Sequence, residues 1–317
     1  MADIAQEITE QKKRRSAFAV FIKRLLKEKK LGTVGAIITL ALLFVGIFAD
    51  VLAPYGMNET HIDDYLAAPG AKYLLGADNI GRDILSRVIY GARISVIIGL
   101  AASSIATVLS LIIGMVSGYV GGKFDLLFQR LVDTMMSIPQ IILMMILISV
   151  IGPGIWQVTV VLGFMWGVIG SRIIRSAVIS VKEKMYVAAA ESIGCTRSKI
   201  IMRHILPNIM APTIVLFTTR VPNVIRVEAS LSFLGFGIPP PAPSWGGMLG
   251  TVGRDYMLQA PWIVFWPGLA LALVVYGVNI FGDAIRDLVD PRLKGGVGRF
   301  DTSGKKKKKL EELVKSS

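Results

Sequence analysis

Apolar and polar positions divide the chain into six long apolar stretches, near 31–53, 94–118, 131–151, 156–174, 212–234 and 262–281. At 1.5 Å of rise per residue, about 20 apolar residues cross about 30 Å of hydrocarbon, so each stretch predicts a membrane-spanning helix. The pattern is that of an all-α polytopic membrane protein with six transmembrane helices. Before the first span, Phe18, Phe21, Ile22, Leu25 and Leu26 recur at helical spacing among Lys23, Arg24, Lys27, Lys29 and Lys30. This predicts an amphipathic helix lying on the membrane surface, in an anchoring role. The charged segment ahead of the first span has no small-residue cleavage site near its end, so that span is read as retained.

Between the fourth and fifth stretches lies AAAESIGCTRSKIIMRHILP, residues 188–207. Three consecutive alanines favour helix and present a narrow surface that fits a groove on another protein. Gly194 stands where a left-handed C′ residue would end that helix. Thr196 is placed to N-cap a second helix, along which Ile200, Ile201, His204 and Ile205 fall at helical spacing. Pro207 is expected to end the second helix or fix its exit into the next span. Helix physics alone leaves two readings open, a docking surface or an ordinary amphipathic loop.

Composition agrees with the pattern. With 53% hydrophobic and 18% charged residues in a chain of 317, and a mean hydropathy of +0.60, the bilayer serves as the core. The basic residues are unevenly spread: residues 1–30 hold nine, 172–211 seven and the tail after 281 ten, whereas 54–92 holds three, 152–155 none and 235–261 only Arg254. Cytoplasmic loops carry the basic excess, so both termini and the 188–207 loop are expected inside a multi-pass protein of the cell membrane. The net charge of +13 then reflects topology and attraction to anionic membrane lipid, and no nucleic acid partner is expected. The run Lys305 to Lys309 is expected to form a solvated, lipid-facing tail. Cys195 is the lone cysteine, so it makes no intrachain disulfide and suggests no redox or metal role.

In the segment 54–92, Asp78 or Asn79 is placed to cap a short amphipathic helix leading into the second span, with Arg82, Asp83 and Arg87 able to pair along it. Gly114, Gly118 and Gly122 repeat every four residues, the spacing that lets two helices approach closely in lipid. The fifth span is unusual because Arg220, Pro222, Asn223, Arg226 and Glu228 interrupt an apolar stretch from Ile214 to Phe236. A charge at helix centre costs about 2.5–3.5 kcal/mol on the insertion scale, so such groups face a bundle interior or a water-filled cavity. Pro222 is tolerated where neighbours or water satisfy the carbonyl it frees. Either these groups line a translocation path and touch polar substrate, or they lie near a membrane boundary and pair structurally.

Catalysis would need a nucleophile, a base or metal ligands brought together. The only histidines, His61 and His204, fall on opposite sides of the membrane, so no metal site, cofactor or catalytic residue is expected. The nearest approach to a G-x-x-x-x-G-K-[ST] phosphate loop, Gly298 to Lys305, has the wrong spacing and lacks the hydroxyl residue. ATP is therefore not expected to bind this chain through that motif.

Four blocks together carry a family resemblance: LGADNIGRDILSRVIYGARIS at 75–95, the 188–207 loop, EASLSFLGFGIPPPAPSWGGML at 228–249 and GDAIRDLVDPRLKG at 282–295. The chain resembles the permease subunit of an ABC importer, specifically the C-type subunit of the dipeptide/oligopeptide/nickel family. The family's loop signature reads Glu-Ala-Ala, three residues, Gly, nine residues, Ile, one residue, Leu-Pro. Ala189, Ala190, Gly194, Leu206 and Pro207 match it, while Ala188 stands where Glu is expected and His204 where Ile is. The absent carboxylate removes one potential contact to an ATPase, for which Glu191, one turn on, is a partial substitute.

The resemblance implies a type I ABC importer permease-like fold with a cytoplasmic N-terminal segment (1–30), a transmembrane domain (31–295, core about 93–282, external loop 54–92) and a basic tail (296–317). It also implies partners: a homologous second permease, two ABC ATPase subunits and an external solute-binding protein. ATP hydrolysis would reside in the ATPases, and the 188–207 loop would carry their motion to the spans in alternating access. The family's substrates are dipeptides and oligopeptides, nickel, glutathione and some sugars, of which peptide is the commonest. A second expectation, from another class, is an ATP-independent channel or proton-coupled carrier with Arg220, Arg226 and Glu228 as ion relay.

Overall fold

The computed structural model describes residues 17–289. The five-lysine run and the 298–305 stretch lie outside the described residues. In chain order the helices are α1 (Ala17–Glu28), α2 (Lys30–Ile47), α3 (Ala49–Leu52), α4 (Ile84–Val120), α5 (Gly122–Ser137), α6 (Gln140–Ile151), α7 (Ile155–Lys182), α8 (Met185–Ser192), α9 (Arg197–Ile200), α10 (Leu206–Phe233), α11 (Trp245–Leu249), α12 (Thr251–Tyr256) and α13 (Trp262–Val289). Among the described residues the only β pairing is one isolated bridge between Ala77 and Asp83.

Five of the six expected spans are continuous helices long and apolar enough to cross a membrane. The third differs from expectation, because α5 and α6 meet at an angle of 95°. Ile138, with extended backbone, precedes Pro139, and a proline disfavours the helical conformation at the residue before it. The second span begins ten residues earlier than its apolar run: Asp83 accepts from Ser86 N at 2.7 Å and caps one helix that runs unbroken to Val120. Neither Asp78 nor Asn79 caps it, and no separate short helix forms. Asp78 instead serves as the acid for Arg82 at 2.7 Å and Arg87 at 3.7 Å, leaving Asp83 to the cap.

The centre of the bundle is the pair α4 and α7, held close by glycines on both. A Cβ at Gly114 would lie 2.7 Å from Ile174 Cβ, and one at Gly118 3.0 Å from Arg175 O. Gly163 and Gly167 of α7 reciprocate, each meeting α4 side chains at 2.7 Å. In lipid, where apolar burial gives little drive, such close backbone approach supplies the packing energy. Gly122 has open space around it and a φ of +62°, so it serves the turn into α5 and not the helix contact. Asp125 of α5 pairs with Arg175 of α7, and Arg172 of α7 pairs with Asp133 of α5, fixing the first limb of the bent pair.

α2 packs on α13 with Gly35 against the Gly277 carbonyl and Gly277 against Ile38. The expected amphipathic helix before the first span is α1. Leu25 is buried with Ala36, Ala284 and Leu288, whereas Ile22 and Leu26 are exposed; the Phe18 side chain lies outside the described residues. Lys29 pairs with Asp287 at 2.5 Å, so α1 lies beside the last turn of α13. The segment 54–83 and the α10–α13 connection share one end of the bundle, as Trp262 Nε1 donates to Ala77 O and Trp245 Nε1 to Val88 O. In that segment the Lys72 ammonium and the Tyr73 hydroxyl hold the Asp64 carboxyl below the usual carboxylate range. Residues 183–209 lie at the opposite end.

Candidate functional site

The loop between α7 and α10 is built as a rigid bracket. α8 ends in a Schellman turn: Gly194, at φ +78°, donates its N–H to Glu191 O at 3.0 Å, and Cys195 N–H reaches Ala190 O at 3.1 Å. Thr196 occupies the N-cap position of α9, but its side chain makes no capping bond. The second helix does not end at Pro207. A π turn over Ile201–Ile205, with Leu206 N–H bonded to Ile201 O, carries α9 into α10 without a break. The wide turn accommodates the proline ring, and Asn208 Nδ2 donates to His204 O at 2.6 Å.

One side of the bracket is anchored. Val187, Ala190, Ile200, Ile205 and Ile209 are buried with Tyr119, Ile174 and Val178 at the ends of α4 and α7. The other side is bare and apolar: Ala188 and Ala189 are exposed beside Met185 (89% exposed), Tyr186, Ile193 (80%) and Met202. Glu191, Gly194 and Pro207 are exposed, Leu206 is half-buried and Ala190 faces inward. Polar loops rarely leave so many large apolar side chains in water, and a contiguous set of them marks a contact surface. Met185, Tyr186, Ile193 and Met202 were not singled out from the sequence, although they are the apolar exceptions in a strongly basic loop.

The polar residues of the fifth span separate into two faces of α10. Arg220 and Glu228 point inward. The Arg220 guanidinium donates to Ser110 Oγ and Trp166 O, both at 2.9 Å, and to Thr107 Oγ1 at 3.4 Å, joining α10 to α4 and α7. Glu228 accepts from Ser232 Oγ at 2.7 Å, and Ser232 Oγ in turn accepts from Ile238 N at 3.2 Å, tying the end of α10 to the following loop. Neither charge meets an opposite charge among the described residues. Asn223 and Arg226 lie on the outer side, where Arg226 donates to Asn223 Oδ1 at 2.9 Å. With Thr219 and Ser230 they form a polar stripe at spacings of four, three and four, and Arg226 is exposed. Such a stripe at membrane depth does not face lipid; it faces water or another polar chain.

Among the described residues no group of three or more His, Cys, Asp and Glu could hold a metal ion. His61 contacts Glu59, whereas His204 lies near Tyr186 at the other end.

Comparison with known proteins agrees with this architecture. Residues 106–295 match the family described as binding-protein-dependent transport system inner membrane component. Residues 16–69 match the N-terminal TM domain of oligopeptide transport permease C. The dipeptide transport system permease protein DppC of Alkalihalophilus pseudofirmus is 38% identical over 269 residues, covering 85% of this chain and 88% of that protein. The di/tripeptide transport system permease protein DppC of Pseudomonas aeruginosa is 36% identical, covering 82% and 88%. The oligopeptide transport system permease protein OppC of Bacillus subtilis is 33% identical, covering 84% and 88%.

Proposed function

The chain belongs to the binding-protein-dependent transport system inner membrane component family and is a permease subunit of an importer; we propose that it carries dipeptides or oligopeptides. It works beside a homologous second permease, with two ABC ATPases below and a solute-binding protein above. Both termini and the α8–α9 bracket lie on the cytoplasmic side, in keeping with the Lys/Arg distribution.

The observation that carries this reading is the bracket itself, anchored through Val187, Ala190 and Ile200 and bare through Met185, Ala188, Ala189 and Ile193. A rigid element with one apolar face uncovered transmits motion from whatever docks there. When the ATPases close on ATP, a push on α8 moves the ends of α4, α7 and α10 together, because Tyr119, Ile174 and Leu216 share one core with it. Coupling of this kind needs two packed states of the bundle and a ligand that binds them unequally; the nucleotide-bound ATPase dimer is that ligand. Ala188 offers the ATPase no carboxylate, so the contact is chiefly apolar, with Glu191 as the nearest acid. Asn223 and Arg226 line the path between the two permeases, while Arg220 and Glu228 hold the wall that supports it.

The test is reconstitution of the chain in vesicles with its second permease, ATPases and binding protein. Uptake of a labelled dipeptide should require internal ATP and persist when the proton gradient is collapsed. Uptake that survives an inactive ATPase but collapses with the gradient would assign the chain to the proton-coupled carriers instead.

A further inference from the structure

At the 54–83 end of the bundle, a cavity of about 230 Å³ opens between the start of α4, the loop after α10, and α11. Most of its wall is apolar, with Ile84, Ile238, Met248, Val252 and Ile263, but one end is charged, with Asp78, Arg82 and Arg87. All three charged side chains are nearly out of solvent, at 4%, 12% and 7% exposure. Two guanidiniums there face one carboxylate, and that carboxylate is already committed. Asp78 Oδ1 accepts from Ile80 N and Arg82 N, and its Oδ2 accepts from Arg82 Nε at 2.7 Å.

Arg87 is left short of partners. Its Nη1 reaches Met57 O and Pro241 O only at 3.4 Å, its Nε stands 3.7 Å from Asp78, and its Nη2 has no acceptor among the described residues. A guanidinium carries five donors in a planar fork, and the unpartnered part of this one is not sealed in protein but opens onto the cavity that Arg87 lines. The geometry lacks one anion at the charged end of a small, otherwise apolar pocket. A phosphate or sulfate would leave the apolar wall without a role. A carboxylate bearing an apolar side chain uses both ends, taking a two-pronged bond from the fork while the side chain lies on Ile84, Met248 and Ile263.

We propose that this cavity is a staging site for the C-terminal residue of a peptide, its carboxylate held by Arg87 and its side chain by the apolar wall. The proposal rests on the peptide reading above. It places a stop on the route between the binding protein and the path beside Asn223 and Arg226.

The experiment uses the intact transporter in lipid nanodiscs without the binding protein, and measures equilibrium binding of the dipeptide Ala-Phe and of its C-terminal amide. The amide should bind about tenfold more weakly or worse, the scale of one lost charge-assisted contact. Arg87→Gln should abolish the difference, Arg87→Lys should keep only part of it, and Val252→Trp, which fills the cavity and leaves the guanidinium in place, should weaken both ligands. Equal binding of acid and amide by the unsubstituted complex overturns the site, as does a preference that persists in folded Arg87→Gln or no binding of either ligand. Displacement of Ala-Phe by inorganic phosphate as readily as by acetyl-phenylalanine also overturns it, leaving a general anion site. ATP-driven uptake with the binding protein separates the two levels: no dipeptide uptake sinks the peptide reading, whereas normal uptake with equal acid and amide binding sinks only the staging site.

Discussion

A Cβ placed on Gly170 would lie 1.5 Å from Arg220 Nη2, so the guanidinium of α10 occupies a volume that α7 leaves free only by having glycine there. That guanidinium is also the polar link joining α10 to Ser110 of α4 and Trp166 of α7. The arrangement accounts for a buried cation with no acidic partner: hydroxyl and carbonyl oxygens solvate it in place of water.

Gly170→Ala is therefore expected to drive the guanidinium off its acceptors and to cost about 3–6 kcal/mol, the scale of two hydrogen bonds to a charged group. Thermal unfolding of the purified complex measures it. In an Arg220→Gln background the shorter side chain clears the methyl, so the same substitution should cost much less. Equal costs in both backgrounds would show that the two residues do not share that space.

Gly194→Val is expected to strain the Schellman turn, because the φ of +78° disfavours any L side chain by about 1–2 kcal/mol and a β-branched one by more. Nothing lies within 4 Å of a Cβ there, so the penalty is conformational and the complex should still assemble. Peptide uptake per ATP hydrolysed should fall about tenfold, within the range of coupling free energies of 1–3 kcal/mol. Uptake and ATPase rates measured on the same vesicles decide it, and an unchanged ratio would remove the turn from the coupling path.

Ala189→Cys places a thiol on the exposed side of α8. In the assembled transporter it should crosslink to an ATPase subunit with a yield that changes between the ATP-bound and nucleotide-free states. A cysteine at Ala190, which faces the buried cluster with Val187 and Ile200, should not. Crosslinking from both positions, or from neither, would contradict the one-sided bracket.

The spans were legible because a membrane helix declares itself by apolar length, and so was Gly194, because ending a helix in the left-handed region is a local task. The 95° break between α5 and α6 was not read, since hydropathy across 131–151 is continuous and Pro139 alone does not say whether a helix kinks or turns. Pro207 left two readings open, an end of the second helix or a fixed exit into the next span, and the first fails because the π turn over Ile201–Ile205 carries the chain straight into α10. The fifth span was half legible. Its polar residues stood out, but their division into an inner pair, Arg220 and Glu228, and an outer pair, Asn223 and Arg226, depends on Ser110, Trp166 and Gly170, which lie far from Arg220 in the sequence on other helices.

That division yields a prediction with opposite signatures for residues only two positions apart. Arg226 is exposed and bonded only to Asn223 within its own helix, so Arg226→Ala should leave the thermal stability of the complex within about 0.5 kcal/mol, as for most surface substitutions, while peptide uptake falls. Glu228 is fully enclosed and bonded to Ser232, which also holds Ile238 N. Glu228→Gln preserves an acceptor of the same size and should retain both stability and uptake. Glu228→Ala leaves a cavity and an orphaned hydroxyl, and should cost about 2–4 kcal/mol and impair uptake only through the amount of folded complex. Uptake normalised to assembled complex tests the distinction: a deficit in Glu228→Gln would give the carboxylate a direct part in transport, and normal uptake by Arg226→Ala would take the outer stripe off the path.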